Sequence, residues 1–97
     1  MVYSVPHFIG GRIFSEKATT TTREIFNPAF GETIGTVDFA SIETCNLAVA
    51  TAKEAWMAWS QTAPIKRARI LFKFRELLEK HQNDLAAIVT REHGKTL

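Results

Sequence analysis

Five sets of residues have types that can do chemistry, and each has a spacing to satisfy. Cys45 is the only cysteine. A thiol in the first turns of a helix becomes a nucleophile when the helix N-terminus or a nearby base lowers its pKa. Cys45 also falls on an apolar stripe with Trp56, where a thiol behaves as a small hydrophobe, so it reads as a core residue. A single cysteine allows no internal disulfide, and no zinc-site or redox-pair spacing is present. His7, His81 and His93 match no metal-ligand spacing and read as surface or capping side chains. Gly94-Lys95-Thr96 has the ending of a phosphate-binding loop, G-x-x-x-x-G-K-[ST], whose backbone N–H groups wrap phosphates. The position of its first glycine is held by Val89, and the triplet closes a helix where the loop should open one. Lys66, Arg67, Arg69, Lys73, Arg75 and Lys80 would suit a phosphate backbone. Glu76 and Glu79 interrupt them and no DNA-binding motif accompanies them, so they read as a solvated helix face. Trp56 and Trp59, with Phe72 and Phe74, have the spacing of core packing more than of a ligand groove. No nucleophile with a base, metal cluster or dinucleotide fingerprint passes its spacing test, and no catalytic, cofactor-binding or metal residue is assigned.

The elements that carry these residues change character near Ser41. Before it, Phe8-Ile9 and Ile13-Phe14 flank Gly10-Gly11, and Gly-Gly supplies the positive φ angles of a two-residue hairpin turn. Ser15 to Thr22 reads as a Thr-rich loop. Arg23 to Phe26 and Glu32 to Val37 read as a second hairpin around Asn27-Pro28-Ala29-Phe30-Gly31, where proline removes a ladder donor and glycine permits reversal. From Ser41 the apolar period becomes helical through Cys45, Val49, Ala52, Trp56 and Trp59. Ser41 is a fitting N-cap and Glu43 places negative charge at the positive end of the helix dipole. That helix should end near Gln61 or Thr62. Pro64 then opens a second helix, with Ile70, Leu71, Phe74, Leu77 and Leu78 as its stripe and an end near His81. Asn83 or Asp84 is expected to cap a third, on which Leu85, Ile88 and Val89 share a face and Gly94 supplies a left-handed end. The predicted fold class is α+β, two β-hairpins over about residues 7–38 followed by three α-helices over about 41–94.

Composition sets the outer limits. The 97 residues are 45% hydrophobic and 23% charged, with 12 Lys+Arg against 10 Asp+Glu. A chain this size buries only about 60–65% of its unfolded surface, which allows one core and excludes a two-domain enzyme within these residues. The sequence contains no long apolar run, and its first residues lack a signal or transit pattern, so a cytoplasmic chain that neither spans a membrane nor is exported is expected. Residues 1–60 carry four basic and six acidic side chains, whereas residues 61–97 carry eight and four, a net charge of +4. The asymmetry leaves open a free-standing interaction module whose basic second helix binds nucleic acid or an acidic partner.

The order of segments resembles the N-terminal portion of the aldehyde dehydrogenase superfamily. The resemblance rests on Phe8-Ile9-Gly10-Gly11, Asn27-Pro28-Ala29-Phe30-Gly31-Glu32, Ile34-Gly35-Thr36-Val37, Ala55-Trp56 with Trp59, Arg67, and Glu92-His93-Gly94-Lys95-Thr96-Leu97. Within the superfamily the chain is most similar to the acylating methylmalonate-semialdehyde branch, which opens with a V-P-x-F-I-G-G string. The resemblance implies a segment of an α/β cofactor-binding domain and, for the parent enzyme, NAD as oxidant and coenzyme A as acyl acceptor. It also implies that the nucleophilic cysteine, the glutamate, the oxyanion-hole asparagine and the dinucleotide-binding strands belong to later segments. Cys45 does not match that cysteine. Some members hold a monovalent cation through backbone carbonyls just before the Asn-Pro, which here are Ile25 and Phe26; carbonyls leave no side-chain signature, and no metal ligand is assigned. Gly10, Gly11, Asn27, Pro28, Gly31 and Gly94 read as turn and cap residues. The segment is expected to be inert by itself, to bind no NAD or coenzyme A, to engage the rest of the parent polypeptide, and to self-associate through exposed apolar faces.

Overall fold

The computed structural model describes residues 2–16 and 21–97, in the order β1 (Tyr3–Val5), β2 (His7–Ile9), β3 (Arg12–Phe14), β4 (Thr22–Phe26), β5 (Thr33–Asp38), α1 (Ile42–Gln61), α2 (Pro64–Lys80) and α3 (Gln82–His93). Both hairpins form. β2 and β3 pair antiparallel, with Ile9 opposite Arg12. Gly10 and Gly11 have φ of 62° and 74°, the double left-handed turn that matches the twist of the flanking strands. β4 and β5 pair antiparallel from Thr22 opposite Asp38 to Ile25 opposite Gly35. The register then breaks, Phe26 lying opposite Thr33, where the strands enter the turn. In that turn Asn27 Oδ1 accepts from Ala29 N–H at 2.9 Å, Asn27 O accepts from Gly31 N–H at 2.8 Å, and Gly31 sits at φ 70°. Of the expected Thr-rich loop, residues 17–20 lie outside the described residues, Ser15 and Glu16 are irregular, and Thr22 opens β4.

A fifth strand was not expected. β1 lies parallel to β5, with Tyr3 opposite Gly35 and Val5 opposite Val37, giving a three-stranded sheet in the order β1-β5-β4 beside the two-stranded β2-β3. Gly35 makes this possible. A Cβ there would meet the Tyr3 ring and the Tyr3 carbonyl oxygen at 2.9 Å, so the aromatic ring occupies the space of a side chain.

The helices end where local chemistry ends them. Ser41 Oγ accepts the Thr44 N–H at 3.1 Å and Glu43 stands in the first turn of α1. Pro64 begins α2, where a missing N–H costs nothing because the first turn leaves that donor unpaired. Gly94, at φ 75°, closes α3 and donates its N–H to Thr90 O. The cap of α3 differs from expectation: neither Asn83 nor Asp84 caps it. His81 both closes α2, donating its N–H to Leu77 O at 3.0 Å, and opens α3, accepting from Leu85 N–H at 3.0 Å. One residue serving two helices leaves no room for a separate cap, and Asp84 instead reaches back to within 3.4 Å of His81 Nδ1.

The expected core does not form within this chain. Among the described residues no apolar side chain is buried, and the buried polar residue is Thr44. Cys45, read as a core thiol, is exposed, and Trp56, Phe72 and Phe74 are each more than half exposed. The helical faces have the right pattern, but the described residues provide no layer that buries them.

Candidate functional site

The best-connected polar cluster stands where β5 runs into α1. Glu16, just past β3, is nearly buried, its side chain 7% exposed. Its backbone N–H donates to Asp38 Oδ2 at 3.3 Å, and its own Oε1 accepts the Ser41 N–H at 3.1 Å. His7 Nε2, from β2, lies 3.5 Å from the same Oε1, within ion-pair range but without a hydrogen bond. Ser41 Oγ is engaged twice, by Thr44 N–H at 3.1 Å and by Thr44 Oγ1 at 3.0 Å. A carboxylate held by a backbone donor at a helix N-terminus satisfies an otherwise orphaned group and complements the dipole. The cluster therefore ties the hairpin to the first turn of α1. The serine hydroxyl is engaged by the cap, bonded to both the backbone and the hydroxyl of Thr44.

This junction is also the test for a dinucleotide. A pyrophosphate needs free N–H groups at a helix opening directly after a strand. Among the described residues β5 to α1 is the only strand-to-helix passage, and there Glu16, Ser41 and Glu43 put two carboxylates and a hydroxyl where the phosphates would lie. Acidic side chains at that helix opening oppose an anion there.

A second contact, which sequence reasoning missed, joins the ends of the chain. Tyr3 Oη donates to Glu92 Oε1 across 89 positions, and that hydrogen bond pushes the phenol above its ordinary value because the neutral form is the donor. No local signal marks such a pair. Nearby, a Cβ on Gly94 would come 3.1 Å from Pro28 Cγ, so the end of α3 lies against the Asn27 turn.

The remaining sequence candidates stay apart. His81 pairs with Asp84, His93 ends α3, and Gly94-Lys95-Thr96 follows that helix instead of opening one. Lys73 and Arg75 of the basic stripe are engaged by Glu76 at 2.8 Å and Glu79 at 2.9 Å, ordinary exposed intrahelical pairs. Ile25 and Phe26 stand at the break in the β4–β5 ladder. Among the described residues no group of three His, Cys, Asp or Glu side chains could hold a metal ion, and no helix is long and apolar enough to cross a membrane. An open groove of about 280 Å³ lies between the β2–β3 turn and α1, lined by Phe8, Ile9, Gly10, Ala48, Thr51, Ala52 and Ala55. Its lining offers one hydroxyl and no acid or base, so it is a packing seam.

The strands, turns and helices nevertheless form a distinctive set. The family model described as "Aldehyde dehydrogenase family" matches residues 14–97. The chain belongs to the aldehyde dehydrogenase family. It is similar to malonate-semialdehyde dehydrogenase 2 of Oceanobacillus iheyensis, with 42% identity over 94 residues, 97% of this chain and 19% of the relative. It is 36% identical over 91 residues to the malonate-semialdehyde dehydrogenase of Pseudomonas aeruginosa, covering 94% of this chain and 18% of the relative. Among solved structures it superposes with a TM-score of 0.91 and 42% identity on a protein identified as a methylmalonate-semialdehyde dehydrogenase from Sinorhizobium meliloti 1021, complexed with NAD, covering 96% of this chain and 19% of that one. The Oceanimonas doudoroffii methylmalonate-semialdehyde dehydrogenase gives 0.89 and 38%, covering 96% and 18%. The chain thus spans about a fifth of the length of these aldehyde dehydrogenases, and its two small sheets and three helices are the N-terminal part of that fold.

Proposed function

We propose that these residues are the N-terminal segment of the cofactor-binding domain of a cytoplasmic, NAD-dependent aldehyde dehydrogenase. The parent enzyme would oxidise malonate or methylmalonate semialdehyde and pass the acyl group to coenzyme A. The observation that carries the reading is the 42% identity, over nearly the whole chain, to a malonate-semialdehyde dehydrogenase. The role of the segment is architectural: it supplies the β1-β5-β4 sheet and three amphipathic helices, and it holds no nucleophile with a base. NAD and coenzyme A are bound by other residues of the polypeptide, and the 97 residues alone turn over nothing. The test is an NADH-formation assay with malonate semialdehyde, with and without coenzyme A, on the purified chain and on a fusion of it to the later segments of the Oceanobacillus iheyensis relative. Turnover by the fusion, dependent on coenzyme A, and none by the 10.9 kDa chain is the expected result. Turnover by the 10.9 kDa chain itself, or a fusion that oxidises other aldehydes but not this one, overturns the reading.

A further inference from the structure

An orphaned nitrogen stands beside a buried carboxylate where the first hairpin meets α1. His7 Nε2 is buried and, among the described residues, has no hydrogen-bond partner, yet Glu16 Oε1 is 3.5 Å away. Buried polar nitrogens are nearly always bonded, so the gap asks for a reason. A neutral imidazole carries one proton, on either of its two nitrogens. With the proton on Nδ1, the Nε2 lone pair turns toward a carboxylate oxygen and two acceptors face each other; with it on Nε2, the ring has a donor but no charge. Protonated on both nitrogens, the ring presents a donor and a positive charge to the same oxygen. The separation is already within ion-pair range, and a shift of a few tenths of an ångström makes it a charge-assisted hydrogen bond.

The charged groups that the neighbouring elements bring to this point are acidic. In β3, Phe14 lies opposite His7, and the cation of that strand, Arg12, stands at the far end of the hairpin opposite Ile9. Glu16 follows β3 with its side chain 7% exposed, which leaves little water to screen it. Asp38, at the end of β5, accepts the Glu16 N–H at 3.3 Å, and Glu43 stands in the first turn of α1. The opposing field is the positive end of the α1 dipole, which Glu16 and Glu43 already meet. Glu16 Oε1 also accepts the Ser41 N–H at 3.1 Å, so a single oxygen stands where the hairpin and the opening of α1 come together.

The hairpin itself is lightly held. β2 and β3 form a sheet of two three-residue strands, too small to stand by itself in water. Phe8 and Ile13 are each 74% exposed, and the groove between the β2–β3 turn and α1 is open. We propose that His7 is a pH-sensitive latch: protonated, it donates to Glu16 and seats the β2–β3 hairpin on the opening of α1; neutral, it frees the hairpin and widens the groove beside Thr51. Because the Ser41 N–H shares the accepting oxygen, fixing Glu16 also fixes the first turn of α1. The latch holds while His7 carries its second proton and is lost as pH rises through the range in which histidines discharge, about pH 5 to 8.

The test is amide exchange resolved by NMR at about pH 5.5 and about pH 8, corrected for the intrinsic acceleration of exchange with pH. The Ser41 N–H and the β2–β3 amides should be about three- to tenfold better protected at the lower pH, while the β4–β5 ladder stays as it is. The imidazole nitrogen signals of His7 should move over the same pH interval as that protection. His7→Gln should abolish the step, as should Glu16→Gln, which keeps an acceptor for the Ser41 N–H and removes the charge. His81→Gln, at the passage from α2 to α3, should leave the step intact. Equal protection at the two pH values, a step that survives His7→Gln or Glu16→Gln, a step lost in His81→Gln, or imidazole signals that move over a different interval overturns the proposal. If both junction variants lose the hairpin altogether, the unmutated chain decides by whether those two intervals coincide.

Discussion

Residues 3–38 and residues 42–93 are held in opposite ways. In the strand region the contacts span the sequence: Tyr3 lies opposite Gly35, Val5 opposite Val37 and Thr22 opposite Asp38. In the helices the side-chain bonds close within four residues: Ser41 to Thr44, Thr51 to Leu47, Thr62 to Ala58, Lys73 to Glu76, Arg75 to Glu79 and His81 to Asp84. The two regions meet at a few points, among them Gly10 near Thr51, Glu16 on Ser41, Tyr3 on Glu92 and Gly94 beside Pro28. A helix satisfies its backbone alone, so it can take shape with its apolar face uncovered, whereas a strand exists only through its neighbour. The strand region thus depends on a few close approaches, and the helices on their caps and on whatever covers them.

The largest single-residue effect should fall on the strand side. Gly35→Ala places a Cβ 2.9 Å from the Tyr3 carbonyl oxygen and ring, and backbone cannot yield as a flexible side chain would. The substitution should cost about 1–3 kcal/mol of strand pairing, read as faster amide exchange across β1 and β5, with the helical circular dichroism unchanged. A parallel loss of helix would show that the two regions are one cooperative unit. Ser41→Ala probes the other side. Removing the acceptor of the Thr44 N–H should cost about 1 kcal/mol, seen as fraying of the first turns of α1 while exchange in β4 and β5 stays as it was.

The smallest effect belongs to the link between regions. Tyr3 donates to Glu92 only while protonated, and its phenol is raised above the ordinary 10.0, so the folded chain holds that proton more tightly than the unfolded one. The contribution is complete below pH 10.0 and disappears as pH rises through the higher folded value. An alkaline titration followed by exchange at β1 and the end of α3 should show this loosening. Tyr3→Phe should remove this pH dependence, and at neutral pH it should loosen β1 and the end of α3 by less than deprotonation does, because the ring loses the hydrogen bond without placing a tyrosinate beside Glu92.

Much of the fold was legible because its signals are local. Gly10-Gly11, Asn27 to Gly31, Ser41, Pro64 and Gly94 each satisfy backbone groups within a few positions, and each stands where the sequence placed it. β1 was not legible: three residues have no period, and their partner lies 32 positions away. The third-helix cap was misplaced because Asn83 and Asp84 are good caps in isolation, while the tight α2–α3 passage through His81 left them inside the helix. Cys45 and Trp56 show the limit of periodicity. An apolar stripe states that a face must be covered, and says nothing of whether the covering residues are in the same chain.

The sequence by itself determined the limits of α1 and α2, the end of α3, the two hairpin turns and the family. These depend on residue types within about one helical turn or on a string of turn and cap residues. Only the tertiary structure decided that Tyr3 lies on Gly35 and reaches Glu92, that Glu16 caps the passage into α1, and that Cys45 and Trp56 stand open. Those facts depend on which distant segments are brought together and on how much apolar area remains after they meet, quantities that no short window of sequence contains.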